Sequence, residues 1–318
     1  MRVVFFGSPD FAVPTLQALA TSPAFDVALV VTQGAKGASP VERAAQELAI
    51  PVYKPETLRD AESRDPLLTA EADLFVVAAF GLIFHRRTLE IPRLGSINVH
   101  PSMLPRFRGA SPIASAIASG DAESGVSLMV MDAGIDTGAV VSVERAPITA
   151  VDTAESLGAR LAMVGAAQAI RDIPRWANGE LIPVPQENQN ASLTRTLTKA
   201  DGWIDWTKRA IDIARHIRAM WPWPRAWTTI HGSPIQVHRA QLTEVNSIGY
   251  EPGAIIPARQ HLIVACGEGA LELVIVEPAG RRSMPARAYL NGLRIPIVQF
   301  GDVGGPDPQP PLVVSVES

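Results

Sequence analysis

Arg2-Val3-Val4-Phe5-Phe6-Gly7-Ser8-Pro9-Asp10 opens the chain with an apolar run that stops at Gly, Ser and Pro. Such a run reads as a buried strand followed by a turn. Ser8 or Asp10 can cap the helix that comes next, with Pro9 near its first turn. Phe11, Pro14, Leu16 and Leu19 give that helix an apolar side. The unit then recurs. Val27-Ala28-Leu29-Val30-Val31 is a second strand, residues 41–48 are helical, and residues 50–53 form a short strand. Asp73-Leu74-Phe75-Val76-Val77-Ala78-Ala79 reads as fully buried, and Gly95-Ser96-Ile97-Asn98-Val99-His100 as a further short strand. Strands alternating with helices predict βαβ units and a parallel sheet, hence an α/β class.

The pattern changes after about residue 120. Residues 125–130 and 139–143 look extended, at the edge of the same sheet. Residues 153–176 form a long Ala/Leu-rich helix capped by Asp152 or Thr153. Residues 183–193 are polar and proline-containing and read as a linker, and residues 211–220 as an amphipathic helix. Short apolar pieces at 226–230, 235–237, 254–256, 262–266 and 271–276, separated by Gly and Pro, predict a small β-barrel. The expected organisation is a first domain over 1–183, a linker over 184–205, a barrel over 206–302 and a disordered tail over 303–318.

The 318 residues suffice for two domains, and 47% hydrophobic with 19% charged is ordinary for a soluble globular protein. A net charge of −4 excludes a strong global pull toward nucleic acid. The first 205 residues carry 17 basic against 23 acidic side chains and the remainder 11 against 9, so the C-terminal part is the side better suited to a polyanion. The single cysteine, Cys266, excludes an intramolecular disulfide and a Cys-based zinc site. That sparing use of cysteine predicts a reducing cytoplasm, and the first apolar run is too short for a signal peptide or membrane span, so no membrane partner is expected.

Gly7 stands alone after the first strand, and Pro9 removes a backbone donor, so the dinucleotide fingerprint is absent. The chemistry-bearing stretch is Asn98-Val99-His100-Pro101-Ser102-Met103-Leu104-Pro105-Arg106-Phe107-Arg108-Gly109. Asn98 and His100 lie two residues apart, so both side chains share one face of a strand. They sit at a strand end, where ligands collect in such sheets. Met131-Asp132-Ala133-Gly134-Ile135-Asp136-Thr137-Gly138 supplies a carboxylate: Asp136 can orient the imidazole, and Asp132 competes for that role. An amide, an imidazole and a carboxylate in one cleft suit the transfer of a one-carbon acyl group to an amine, with no metal required. The Pro101-to-Gly109 loop can offer backbone groups to a flat ligand, Leu104-Pro105 is a candidate cis peptide, and Arg106 and Arg108 can meet anionic groups. Trp221-Pro222-Trp223-Pro224-Arg225-Ala226-Trp227 can stack on bases or plug a domain interface, and the second reading is favoured.

These residues resemble the formyl-tetrahydrofolate-dependent transferases that formylate methionyl-tRNA. The resemblance rests on Phe6-Gly7-Ser8-Pro9-Asp10-Phe11-Ala12, Ala79-Phe80-Gly81-Leu82-Ile83, the stretch from Asn98 to Ile113, and Met131 to Gly138. It continues through Leu197 to Trp206, Ile217 to Pro224, and Val276-Glu277-Pro278-Ala279-Gly280-Arg281-Arg282-Ser283-Met284. It implies a Rossmann-like, mostly parallel sheet domain followed by an OB-like barrel that helps hold tRNA. It implies a catalytic trio of Asn98, His100 and Asp136. It implies that Ser102, Met103, Leu104 and Pro105 bind 10-formyltetrahydrofolate, with Phe80, Gly81, Leu82 and Ile83 nearby. Phe6, Gly7, Ser8, Pro9, Lys36, Arg106, Arg108, Lys199 and Arg218 are the residues assigned to the acceptor, expected to be initiator methionyl-tRNA. A monomer is expected, with no DNA partner. One departure stands out: family members carry a longer basic loop after the second strand, whereas Thr32-Gln33-Gly34-Ala35-Lys36-Gly37-Ala38-Ser39-Pro40 has Lys36 as its only charge. That shortening leaves open a smaller acceptor such as an amino sugar. A non-catalytic RNA-binding module is a third reading, against which the intact trio argues.

Overall fold

The computed structural model describes residues 1–34, 37–293, 298–301, 304–307 and 309–316. The strands, in chain order, are β1 (Arg2–Gly7), β2 (Asp26–Val31), β3 (Val52–Tyr53), β4 (Leu74–Ala78), β5 (Ser96–His100), β6 (Arg108–Gly109), β7 (Glu123–Val130), β8 (Val140–Pro147), β9 (Ser192–Thr194), β10 (Ala226–Ile230), β11 (Ser233–Thr243), β12 (Ile255–Ile256), β13 (Leu262–Ala265), β14 (Ala270–Pro278), β15 (Met284–Pro285) and β16 (Val313–Ser315). The α-helices are α1 (Val13–Thr21), α2 (Pro40–Glu47), α3 (Asp65–Thr69), α4 (Arg86–Leu89), α5 (Pro112–Ser119), α6 (Ala154–Ala177), α7 (Ala210–Ala219) and α8 (Ala286–Asn291).

The first sheet has the order β3-β2-β1-β4-β5-β7-β8. Its first five strands run parallel, while β7 and β8 are antiparallel additions at one edge. The apolar runs of β1 and β4 are continuous because both faces are covered. Alternate residues feed two separate cores. Val3, Phe5, Leu74 and Val76 pack with Leu16, Leu19, Leu157 and Leu161 of α1 and α6, whereas Val4, Phe6, Phe75 and Val77 pack with Leu58, Leu67 and Phe84. The sheet order reverses between β1 and β4, and in such sheets ligands bind beyond the C-terminal strand ends near that point. Thr153 caps α6 through a reciprocal pair with Ser156; Asp152 instead receives Arg160 and the Thr149 backbone.

The second sheet, in the order β10-β11-β14-β13-β12 with β15 on β14, is antiparallel and curls into the expected OB-like unit. The Trp-Pro stretch joins the two domains, as the interface reading expects. Trp221 Nε1 donates to Glu155 of α6 at 3.1 Å, and its ring lies 4.8 Å from that of His238. The Trp221–Pro222 and Trp223–Pro224 peptides are cis, as is Leu104–Pro105. Cys266 is buried, and burial pushes its thiol up to about 12, so no thiolate forms near neutral pH.

Two expectations about the connections change. The segment 184–205 is not a free tether: β9 pairs parallel with β6 of the first domain, whereas Trp203 bridges to Trp227 of β10 and Ile204 N–H donates to the Trp227 carbonyl in the second. The tail expected to be disordered contributes β16, which pairs antiparallel with β9 at Val313, Val314 and Ser315. A strand edge left open by β9 gives these residues backbone partners that composition cannot reveal. No described helix is long and apolar enough to cross a membrane.

His216 on α7 has its Nε2 sealed from solvent without a partner, and burial holds its pKa below the ordinary 6.5. The unfolded chain therefore binds a proton that the folded one resists. Stability contributed by neutral His216 is complete above pH 6.5 and is lost as pH falls below it, with a slope of up to about 1.4 kcal/mol per pH unit. Denaturant unfolding at several pH values between 5 and 8 should show that decline, and His216→Gln should flatten it. An unchanged slope in the variant would contradict this assignment.

Candidate active site

Asn98 and His100 leave β5 on the face opposite Ile97 and Val99, which are fully buried in the first core. Strand alternation thus aims an amide and an imidazole at the same place. The turn between β7 and β8 is fastened beside them: Met131 N–H donates to the Ser96 carbonyl at 2.8 Å and Val130 N–H to the Ala139 carbonyl at 2.9 Å. Within that turn Asp132 accepts from Gly134 N–H and from the Thr137 hydroxyl. Asp132 shapes the loop, and Asp136 is the carboxylate that faces β5.

Asp136 Oδ1 accepts from Asn98 Nδ2 at 3.2 Å, and Oδ2 lies 3.5 Å from His100 Nδ1. Oδ2 also accepts from Gly109 N–H at 2.8 Å. His100 Nε2 contacts the Phe107 carbonyl at 3.0 Å. A carbonyl can only accept, so the network assigns a hydrogen to Nε2 and turns Nδ1 toward Asp136. His100 is 4% exposed and the Asp136 side chain 16%, so solvent reaches the carboxylate more readily than the ring. Phe107 and Asp136 both hold left-handed backbone conformations, at φ of 58° and 51°. Two non-glycine residues in that region within one cluster mark a site where surrounding contacts over-determine the backbone. Gly109 has a φ of 95°, and a Cβ there would overlap the Thr194 carbonyl.

The remaining assigned residues divide. At the C-terminal end of β4, Gly81, Leu82 and Ile83 line a cleft of about 370 Å³ with Glu56, Thr57, Leu58 and Arg59. Phe80 sits half-buried against Phe6 and Phe84 at the same edge. Met103 and Pro105 are half-buried. Ser102 is fully buried, its hydroxyl donates to the Arg106 carbonyl, and its own carbonyl accepts from Ser127. Leu104 is also buried, and its N–H donates to Ser127. These two side chains shape the loop and are not open to a ligand.

Phe6 belongs to the second core, with ring contacts to Phe75, Phe80 and Phe84, and Gly7 is buried beside Ala78. Both are sealed from solvent. Ser8 ties the β1 turn to the end of β2 by accepting from Gln33 N–H and Thr32, and Pro9 is exposed. Arg106 is committed to a two-pronged pair with Asp121 and stacks over Phe107. Arg108 is buried and bonded to Gln186 and Asn188, so it is a strut and not an anion receptor. Arg218 is half-buried between the domains, where it donates to the Asp152 carbonyl and burial lowers its pKa. It lines a larger cavity of about 840 Å³ with Arg215, Trp221, Ile148 and Leu242, whose lining includes none of the trio. Lys199 is exposed, and its carbonyl accepts from Trp227. Lys36 lies outside the described residues.

Sequence reasoning missed Gln186, Ser192 and Thr194. Ser192 Oγ accepts from Phe107 N–H, and the Thr194 hydroxyl donates to the Arg108 carbonyl. Nothing local marks them: the stretch is polar and proline-containing, as a linker would be, and their partners Phe107, Arg108 and Asp136 are distant in sequence.

Residues 1–173 match the formyl transferase family model, and residues 196–294 match the formyl transferase C-terminal domain model. The methionyl-tRNA formyltransferase of Roseiflexus sp. (strain RS-1) is 40% identical over 303 residues, covering 93% of each chain. That of Stutzerimonas stutzeri (strain A1501) is 43% identical over 303 residues, covering 92% of this chain and 95% of its own. The chain belongs to the methionyl-tRNA formyltransferase family. Among solved structures, an N-formyltransferase from Helicobacter canadensis, in complex with folinic acid and dTDP-3-aminofucose, superposes with a TM-score of 0.65 at 20% identity. It covers 85% of this chain and 98% of its own, and at that identity the likeness concerns the fold. Family membership spans both domains, so the curled C-terminal sheet is part of the methionyl-tRNA formyltransferase plan and not an accessory.

Proposed function

We propose that this chain transfers the formyl group of 10-formyltetrahydrofolate to the α-amine of methionyl-tRNA, acting as a cytoplasmic monomer. The observation that carries the reading is identity of 40% or more with methionyl-tRNA formyltransferases across both domains, together with the contact of Asn98, His100 and Asp136. In the reaction the amine nitrogen bonds to the formyl carbon, whose carbonyl becomes an oxyanion. The bond from that carbon to N10 of the folate then breaks, the carbonyl re-forms, and N10 leaves with a proton. Asn98 has one N–H on Asp136 and a second to offer the oxyanion. Asp136 and Nδ1 of His100 face each other and take the proton that the amine loses, holding it for N10. The folate enters along the Gly81, Leu82 and Ile83 cleft, where Ile83 is 68% exposed, an apolar side chain suited to a flat ring. Lys199, Arg239, Arg281 and Arg282 are exposed on the C-terminal side and meet phosphates in place of a long basic loop.

The test is formylation of charged initiator tRNA against a panel of free amines and amino sugars, at rising salt. Rapid transfer to methionyl-tRNA with a steep loss of binding as salt rises is the expected result. Preference for a small amine with no salt dependence would replace the acceptor. Failure to bind folate would leave a non-catalytic module.

A further inference from the structure

We propose that Gln186 is a positioning residue for the reaction, holding Asp136 in its working orientation from a segment that leads to the C-terminal domain. The inference rests on the reading of Asp136 as part of the reacting trio. Gln186 Nε2 donates to the Asp136 carbonyl at 2.8 Å and to the Gly138 carbonyl at 2.7 Å. Both hydrogens of one amide are thus spent on the two carbonyls that flank Thr137. That is a clamp on the residue whose φ of 51° is intrinsically disfavoured. The clamp is itself held: Arg108 Nε donates to Gln186 Oε1 at 3.0 Å, and both terminal nitrogens of Arg108 reach Asn188 Oδ1 at 3.2 Å.

The next residue after Arg108 closes the circuit. Gly109 N–H donates to Asp136 Oδ2, and β6, which contains Arg108 and Gly109, pairs with β9. Asp136 is therefore gripped twice by one assembly, through its carbonyl by Gln186 and through its carboxylate by Gly109. Gln186, Asn188 and β9 all come from residues 186–194, and they hold Arg108 and Gly109 of β6 in place beside Asp136. The chain then continues from β9 toward α7 and the second sheet, so the arm that carries the C-terminal domain is also the arm that sets Asp136. An acceptor held by that domain would find the carboxylate fixed by the same segment. Gln186 touches neither substrate in this account; it acts through Asp136.

Methionine matches glutamine in length and carries no donor, so Gln186→Met removes the clamp while filling its space. The expected result is a kcat lower by about 10- to 100-fold, with KM for folate and for tRNA within about 2-fold of wild type, as for a displaced but intact group. A merely structural role would change the melting temperature and leave this kcat-against-KM split absent. The double variant Gln186→Met with Asp136→Asn should be no slower than Asp136→Asn alone, because the clamp has nothing left to position. Asn188 is exposed, so Asn188→Ala tests the outer strut without risk to folding, and a smaller loss in kcat is expected there. A Gln186→Met enzyme as fast as wild type, beside a slow Asp136→Asn enzyme, overturns the clamp and leaves the trio standing. Losses that multiply in the double variant overturn it as well. A fast Asp136→Asn enzyme overturns the reading of Asp136 and the clamp with it.

Discussion

Replacing Asp136 with Asn lowers kcat by about 100-fold or more while the protein stays folded. The carboxylate accepts on both oxygens, from Asn98 on one and from Gly109 on the other. An amide has a single acceptor oxygen. Whichever way it lies, its NH2 group meets a donor, either the Asn98 amide or the Gly109 N–H. The amide also cannot hold the proton released by the attacking amine. The lost hydrogen bond is worth about 1 kcal/mol, too little to unfold a two-domain protein. Steady-state rates at saturating methionyl-tRNA, with a melting curve on the same sample, separate the two effects. A variant that keeps more than about a third of the wild-type kcat removes Asp136 from the chemistry, since a general base is worth far more than that.

The second large effect is at Asn98. Asn98→Ala deletes the group that has one N–H on Asp136 and another free for the developing oxyanion. Loss of one preorganised donor to an oxyanion costs about 10²- to 10³-fold in kcat, or about 3 to 4 kcal/mol of transition-state stabilisation. The ground-state carbonyl gains little from the same contact, so KM for folate should move much less than kcat. The residue is half-buried in the middle of β5, and Ile97 and Val99 keep that strand in the core. The quantity to measure is therefore the rate in single turnover, beside the folate affinity by calorimetry. Equal losses in rate and affinity would show that Asn98 serves binding alone.

Much of this was legible along the chain, for identifiable reasons. Continuous apolar runs at β1 and β4 mean strands buried on both faces, which is what a parallel sheet requires. The pair Asn98 and His100 was legible because a strand has period two, and nothing beyond local geometry is needed to put them on one face. The choice between Asp132 and Asp136 was not legible. Both are aspartates in a glycine-containing turn, and what separates them is the left-handed φ of Asp136 and the Gly109 N–H that meets it from another loop. Arg108 and Ser102 looked available for the same reason. Their partners, Gln186 and Asn188 for one and Arg106 and Ser127 for the other, are tertiary or depend on a loop conformation. The block that Phe6 shares with the family points it at the acceptor, yet strand alternation alone aims it at the second core with Phe75 and Phe84. The Gly and Pro content of the tail predicts disorder, but Val313 to Ser315 need only a free edge to form a strand, and β9 supplies one.

The trio acts as one unit or it does not, and the single-turnover rate of formyl transfer to methionyl-tRNA by the Asn98→Ala, Asp136→Asn double variant decides which. Residues bound to each other and serving one tetrahedral centre give strongly non-additive losses. The double variant should be about as slow as the slower single variant, with folate still bound. A rate equal to the product of two independent losses, or one close to wild type, would contradict the account.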